Sequence, residues 1–379
     1  MAYHLTLEKK LILFLSRVNP SPHTMKTAEH LLKESTHPID FTALKDLADM
    51  NGVSSLLYQN VRALNGVPEE IVDKLKNVYL YTMRANIVKA KEVLRIVSLL
   101  NAEGVNAMPL KGPIASDVIF GDPGLYPSSD IDILVRPSEL EMTKEILLKI
   151  GYREIDEVLE RDTLSARDSR YTLTFGNGTY VIEIHWNLVF RYFNIPPAFW
   201  WEDTGVLEYE GTKIPALSKE RYLLYTLFRL YCHRFVPLKF LVLSAELINK
   251  YGKEIRWDQL LAFAEQYRMS RVVYFILKLL DELLGANIPE ELADRKIFGY
   301  EFLKKVTLSG LFHRTTRIHL RMVPYTILQD TPLDMLRILV RRVFPTTGEI
   351  RLRYGLPPNS KRLFLYYFLN PLLLLLRRR

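Results

Sequence analysis

Cysteine is almost absent from this 379-residue chain, which contains Cys232 and no other thiol. A single thiol permits no intramolecular disulfide, and no spacing of cysteine and histidine resembles a structural zinc site. These absences argue against a disulfide-rich secreted domain and against a zinc module. They predict a protein of the reducing cytoplasm.

Long apolar runs are scarce as well. The first 18 residues hold an apolar stretch of only about six residues with no small-residue cleavage site, which argues against a signal peptide. Residues 363–376 are apolar except for Asn370 and Pro371, but a membrane span needs about 20 residues. The segment therefore predicts a buried terminal helix. Because basic residues flank it on both sides, contact with a membrane surface is the alternative, which would make the protein peripheral to the membrane.

Acidic residues are rare in the last part of the chain. Residues 311–379 contain 13 Lys and Arg against three Asp and Glu, a net charge of +10, whereas the whole chain carries +8. The basic character therefore belongs to the C-terminal region alone. It predicts contact with a polyanion, either nucleic acid or an anionic membrane surface, and a solvated basic surface is the alternative interpretation.

Three regions follow from the apolar patterns. Residues 1–104 and 216–379 show helical periodicity, whereas residues 105–215 contain short strand-like segments separated by Gly and Pro. Within this middle region, Gly176-Asn177-Gly178 lies between two alternating segments and predicts a β-hairpin. The expected fold class is α+β, with a small mixed sheet flanked by N-terminal and C-terminal helical regions.

Two acids interrupt an apolar strand in the segment YPSSDIDILVRP. Asp130 and Asp132 alternate with Ile131 and Ile133, so both carboxylates are expected on one face of the strand. Burying an unpaired carboxylate costs several kcal/mol, so a partner is required. Hard oxygen ligands at this spacing suit Mg²⁺ or Mn²⁺.

A third acid occupies a second apolar strand, TYVIEIHW. Glu183 lies between Ile182 and Ile184, and His185 points to the same face as Glu183. If the two strands are neighbours, three carboxylates converge, as in a two-metal site that binds nucleotide phosphates. A lone D-x-D more often binds no metal, and a lone core histidine is more often structural. Their joint occurrence with Lys111-Gly112, ahead of Asp130, favours a functional site.

At these residues the chain resembles a known family. The succession LKG, SDIDILV, a helix and IEIHW is similar to the polymerase-beta-like nucleotidyltransferase superfamily, and to its branch of uncharacterised bacterial and archaeal members. The segments LYTLFRLYCHRFVPLKFLVLSAELI and RRVFPTTGEIRLRYG extend the resemblance into the C-terminal region. The resemblance implies a nucleotidyltransferase core over residues 105–215. It also implies Mg²⁺ or Mn²⁺-dependent transfer of a nucleoside monophosphate from an NTP such as ATP, with release of pyrophosphate.

The resemblance also implies roles for individual residues. Asp130, Asp132 and Glu183 match the metal-binding and catalytic carboxylates. Lys111 and Gly112 stand where the wider superfamily has Gly-Ser, and a lysine there would neutralise phosphate charge. The remaining candidates for nucleotide binding are Ser128, Ser129 and His185, for which loop capping or a structural role is the alternative.

Four further residues are weaker candidates for contact with the nucleotide. His233 and Lys239 lie in the C-terminal helical region, and Arg167 and Arg170 precede the hairpin. Structural or solvated roles are the alternative for all four.

The sequence does not identify the molecule that would accept the nucleoside monophosphate, and three classes are open. An RNA or tRNA end would suit the basic C-terminal region, and a small molecule is a second class. A protein hydroxyl is a third, as in toxin-like modification with an antitoxin-like partner. Two rival functions are a D-x-D glycosyltransferase at a membrane surface and a non-catalytic nucleotide-binding or RNA-binding protein. The acid in the second strand has no evident purpose in the glycosyltransferase. The three intact acids Asp130, Asp132 and Glu183 argue against the non-catalytic protein, because an inactive site does not need them.

Overall fold

A computed structural model describes residues 5–34, 38–155, 171–189, 193–313, 322–344, 350, 354–357 and 360–376. It confirms the α+β class, with a small mixed sheet surrounded by helices. Arg167 and Arg170 lie outside the described residues.

The N-terminal region is helical, as its periodicity predicts. Its helices are α1 Leu7–Leu15, α2 Pro22–Glu34, α3 Phe41–Asn51, α4 Ser54–Val61 and α5 Glu69–Ala102. Helix α5 packs on two different cores. Near its start, Ile71 and Leu75 join the helical core, whereas Val93 and Ile96 further along pack under the sheet. This long helix therefore connects the helical region to the sheet.

The main sheet has five strands in the order β1-β2-β5-β4-β3. Their bounds are β1 Met108–Pro109, β2 Ile131–Leu134, β3 Arg153–Glu154, β4 Thr172–Gly176 and β5 Val181–His185. The hairpin predicted at Asn177 is confirmed, since β4 and β5 pair antiparallel. Strand β5 also pairs with β2, in parallel, and this register places Glu183 directly beside Asp132.

Two helices frame the sheet. Helix α6 Pro113–Phe120 begins with proline at its first position, where the missing N–H costs nothing. Helix α7 Leu140–Lys149 follows a short 3-10 turn that starts at Pro137. The side chains of Ile146 and Leu147 from α7 pack with β2 and β5 on the apolar face of the sheet. The opposite face is left for the polar residues.

A second hairpin, β6 Gly205–Tyr209 and β7 Thr212–Ala216, was not foreseen from the sequence. Its turn residues Glu210 and Gly211 both have positive φ, 47° and 74°, which is typical of a type I′ turn. Pro215 weakens the strand signal, because proline cannot donate to a sheet and is confined to edges. The hairpin packs against β1, next to the main sheet.

The C-terminal region is also helical. Its helices are α8 Lys219–Cys232, α9 Leu238–Tyr251, α10 Trp257–Gln266, α11 Ser270–Leu284, α12 Glu290–Ala293, α13 Tyr300–Phe312, α14 Met322–Tyr325, α15 Pro332–Val343 and α16 Arg362–Leu376. One hydrophobic cluster joins residues of α1, α3 and α4 to residues of α8, α9 and α11. Both helical regions therefore contribute to one core, and the sequence division at residues 104 and 215 stays a prediction.

The expectation of a buried terminal helix is wrong for much of α16. Phe364 is 74% exposed and Phe368 is 59% exposed, whereas Asn370 is fully buried. The Asn370 side chain donates a hydrogen bond to the Val343 carbonyl at 2.7 Å, so a polar residue holds this helix against α15. Within the described segments, no helix combines the length and apolar character that crossing a bilayer requires.

Candidate active site

Asp132 is the centre of the polar face of the sheet. Its side chain is fully buried, with Oδ2 at 2.7 Å from Lys111 Nζ and Oδ1 at 2.9 Å from His185 Nε2. Burial alone would raise the pKa of Asp132, but Lys111 and His185 together hold it well below its usual range. The carboxylate is therefore ionised inside the protein, which is the state that binds cations.

Asp130 shares the lysine with Asp132. Its Oδ1 lies 3.6 Å from Lys111 Nζ, and its side chain is 24% exposed, whereas that of Lys111 is 10% exposed. Both aspartates thus reach the same side, as strand alternation predicts. Although burial and Arg229 would lower the pKa of Lys111, the two carboxylates raise it overall. The lysine is a fixed positive charge at the site.

Glu183 and His185 come from the neighbouring strand. Glu183 Oε2 lies 3.4 Å from His185 Nε2, and His185 Nδ1 lies 3.1 Å from the Thr172 hydroxyl on β4. Burial would lower the pKa of His185, but its contacts with Asp132 and Glu183 raise it. The parallel pairing of β2 with β5 produces this arrangement, because it aligns Asp132 with Glu183.

The donor atoms fit a divalent cation. One ligand atom from each of Asp132, Glu183 and His185 lies within 4.8 Å of the other two. Two carboxylates and an imidazole suit Mn²⁺, and Mg²⁺ accepts the carboxylates with waters completing its shell. The sequence predicts Asp130 as a ligand instead of His185, and that role for Asp130 stays a prediction.

The segment before β2 is held by hydrogen bonds from three directions. Ser128 Oγ donates to the Asp130 carbonyl at 2.8 Å, and Ser129 Oγ donates to Asp130 Oδ1 at 3.2 Å. Lys89 of α5 donates to the Ser128 carbonyl, and Lys239 of α9 donates to the Pro127 carbonyl at 3.1 Å. Ser128 therefore shapes this loop, and nucleotide contact by either serine stays a prediction.

Gly112 lies where this loop crosses the end of β1. Its φ is 88°, and a Cβ at this position would lie 2.9 Å from Ser128 Oγ and 3.3 Å from the Asp130 carbonyl. A side chain would therefore suffer both backbone strain and crowding against the loop that carries the acids. The glycine keeps the β1 end in contact with this loop.

We expect Gly112→Ala to lower the free energy of unfolding by about 3 kcal/mol, of which about 2 is backbone strain at φ 88° and ψ −136°, a conformation that glycine alone adopts readily, and the rest crowding. Chemical denaturation measures the change. Gly178→Ala is the matched control, since Gly178 has φ of 85° and no atom within 4 Å of its added Cβ. It should cost only about 1 kcal/mol. Equal losses in both variants would contradict the crowding of Ser128.

The C-terminal helices bring further cations to the acids. Arg229 of α8 donates to the Tyr225 hydroxyl at 3.3 Å. Burial would lower the pKa of Arg229, but Tyr225, Asp132 and other nearby carboxylates raise it. Sequence reasoning missed Arg229 as well as Lys89. Arg229 could have been found from the sequence, because it is a lone arginine inside the apolar run LFRLY, just as the acids are lone charges inside apolar strands.

The secondary candidates His233 and Lys239 also lie near this group. Burial, followed by Arg229 and Lys111, holds the pKa of His233 well below its usual range, so its imidazole is neutral. Burial and then Lys111 lower the pKa of Lys239 to about 8. Cationic groups from α5, α8 and α9 thus surround the carboxylates of the sheet.

A cleft of about 560 Å³ adjoins Lys111, a size suited to one small ligand. Its walls come from α6, from the β6–β7 hairpin and from the facing parts of α8 and α9. Val118, Val206 and Leu247 make part of the lining apolar. Tyr222 also lines it, with a hydroxyl that is buried and makes no hydrogen bond within the described part of the chain.

Comparison with known proteins adds one finding. A family model described as "Uncharacterised nucleotidyltransferase" matches residues 37–285, which is well over half of the chain. This match includes the sheet, both acidic strands, and the cations of α5, α8 and α9. No curated protein and no solved structure matches the chain.

Proposed function

Because the chain belongs to this family of uncharacterised nucleotidyltransferases, we propose that it transfers a nucleoside monophosphate from an NTP to an acceptor and releases pyrophosphate. The single observation that carries this proposal is the ionised, buried Asp132 beside Glu183 on adjacent parallel strands. Paired acids on a small mixed sheet also support membership of the polymerase-beta-like superfamily.

The chain's own residues supply a site for a triphosphate. Lys111, Arg229 and Lys239 place positive charge around the carboxylates. A polyanion such as a triphosphate is therefore attracted to this site, although the sheet residues beneath it are acids. An acceptor oxygen would bond to the α-phosphorus, while the bond from that phosphorus to the bridging oxygen of pyrophosphate breaks. Glu183, whose side chain is 31% exposed, is positioned to take the hydroxyl proton.

Asp132, Glu183 and His185 would hold a divalent cation, and in this proposal Asp130 stands at the open edge of that group. A bound Mg²⁺ or Mn²⁺ would neutralise phosphate charge and favour the ionised acceptor oxygen. Without it, Lys111 and His185 balance the carboxylates. Lys111, which lies beside both aspartates, would supply positive charge to a phosphate oxygen.

The cleft beside Lys111 favours a small-molecule acceptor, or the nucleoside itself, over an RNA track. Its charged rim is internally paired, with Lys219 at 2.5 Å from Glu254 and Arg256 at 3.1 Å from Glu220. These cations are thus neutralised by carboxylates, whereas a nucleic-acid path requires basic groups available for phosphates.

The experiment that tests the function is incubation of the purified chain with each α-³²P-labelled NTP, Mg²⁺ or Mn²⁺, and cell extract separated into RNA, protein and small molecules. We expect label in one fraction, dependent on metal and abolished by Glu183→Gln. Glu145→Gln, which changes an exposed acid of α7 on the opposite face of the sheet, should transfer label normally. No transfer with any nucleotide, or equal transfer by Glu183→Gln, contradicts the proposal.

Lys239 predicts the pH dependence of NTP use. With its pKa near 8, its charge and its attraction for triphosphate are lost as the pH rises through this value. We expect kcat/KM for NTP to fall about tenfold above pH 8, the worth of one charge-assisted contact. Lys239→Arg, which stays charged, should abolish this fall. If the wild type and Lys239→Arg had the same pH profile of kcat/KM, a group other than Lys239 would be responsible for the fall.

The lowered pKa of Lys239 also affects the free energy of unfolding, which should rise with pH where kcat/KM falls. Between pH 8 and the ordinary lysine pKa, the unfolded chain binds more protons at Lys239 than the folded chain does. Stability should therefore rise with pH over this interval, and Lys239→Met should remove the rise. Thermal denaturation across this interval measures it.

A further inference from the structure

Two C-terminal helices together expose an apolar surface that the nucleotidyltransferase site does not use. Its side chains are Leu333, Leu336 and Val340 of α15 with Phe364, Phe368 and Leu372 of α16, each 48% to 74% exposed. We call this set the C-terminal apolar face. The residues recur every three or four positions along both helices, so each helix presents one continuous stripe.

The two stripes belong to one unit. Asn370 of α16 donates to the Val343 carbonyl at 2.7 Å, and the rings of Phe344 and Tyr367 lie 6.0 Å apart. The helices are thus fixed against each other while their outer sides stay exposed. Two exposed apolar stripes on one packed pair of helices mark a surface that contacts something else.

Positive charge accompanies this face. Arg337 of α15 and both Lys361 and Arg362 at the start of α16 are exposed. Residues 311–379 carry a net charge of +10, whereas the rest of the chain is slightly acidic. Helices with apolar side chains beside Lys and Arg lie in the interface of anionic membranes.

We infer that the C-terminal apolar face binds the surface of an anionic phospholipid bilayer. The charge argues against a second copy of this chain as the occupant, because two strongly basic regions would repel each other. The leucines argue against nucleic acid, which is bound by basic and aromatic side chains rather than by aliphatic ones. The helices would lie on the membrane without crossing it.

The test uses the full chain in sedimentation with vesicles of phosphatidylcholine, alone or mixed with phosphatidylserine. We expect binding to the mixed vesicles that is at least about tenfold stronger than to phosphatidylcholine and that weakens with salt. Leu336→Asp/Phe368→Asp should reduce it by about tenfold or more. Phe298→Asp, which changes a side chain that is 79% exposed outside this face, should bind as the wild type does.

A second variant separates charge from folding defects. Lys361→Glu/Arg362→Glu changes two exposed cations, leaves the apolar side chains intact and should also weaken binding by about tenfold, with an unchanged thermal denaturation midpoint. No binding to mixed vesicles at low salt would overturn the inference. So would a dimer, or RNA binding in place of vesicle binding, that Leu336→Asp/Phe368→Asp abolishes. None of these outcomes depends on nucleotide transfer.

Discussion

Asp132→Asn should abolish nucleotide transfer and also destabilise the protein. Activity should fall about a thousandfold or more, because the buried carboxylate is the centre of the charges that would act on the phosphates. The same change leaves Lys111 buried with Asp130, at 3.6 Å, as its one remaining anion among the described residues. Removing one partner of a buried ion pair costs about 3 kcal/mol. Labelled-NTP assays and denaturation measure the two losses.

The double variant Asp132→Asn/Lys111→Met separates these two losses. It removes both members of the pair, so stability should return close to that of the wild type while activity stays lost. Glu183→Gln is the complementary variant, since Glu183 is partly exposed and makes its ion contact only with His185 within the described chain. It should lose activity with little change in stability. Near-normal activity in Asp132→Asn would contradict the proposed site.

Arg229→Gln should reduce kcat/KM for NTP about a hundredfold, with the larger part of the change in KM. The reason is that Arg229 interacts electrostatically with Asp132, Asp130 and Glu183, so it would attract the phosphates that bind beside them. Arg229→Lys keeps the charge but loses the planar guanidinium, and should recover part of the activity. Steady-state kinetics with varied NTP measure these effects.

Arg221→Gln is the matched control, because it changes another arginine of the same helix. Arg221 is 3% exposed, and it donates to the Phe199 carbonyl at 2.7 Å and to Glu202 at 2.9 Å. Its loss should cost about 2 to 3 kcal/mol of stability and leave KM for NTP unchanged. If Arg221→Gln and Arg229→Gln gave the same pattern, Arg229 would be a structural residue only.

The acids could be predicted from sequence because they break an apolar pattern. Asp132 and Glu183 each lie between two buried isoleucines of a strand, and a buried acid needs a partner. What the sequence could not provide is the register. Parallel strands are joined through a long connection, so the chain gives no local signal that β2 and β5 are neighbours. That pairing makes His185 part of the candidate metal group.

The cations were harder to predict than the acids. Lys89 lies in the amphipathic helix α5, where a lysine resembles an ordinary solvated residue. Its role depends on the Ser128 carbonyl, 39 residues away in the chain. Arg229 did carry a signal, since it interrupts an apolar run in α8. The β6–β7 hairpin was missed because Pro215 conceals its strand pattern.

The loop before β2 is held by side chains from outside residues 105–215, so these residues alone do not contain the complete site. The carbonyls of this loop accept hydrogen bonds from Asn86 and Lys89, which precede it in the sequence, and from Lys239, which follows it. Residues 105–215 taken alone would lack all three donors as well as Arg229. Grafting the sheet onto another scaffold would therefore transfer the acids without the groups that position and balance them. Evolution of a new acceptor specificity in this architecture would have to keep the surrounding helices and vary the cleft instead.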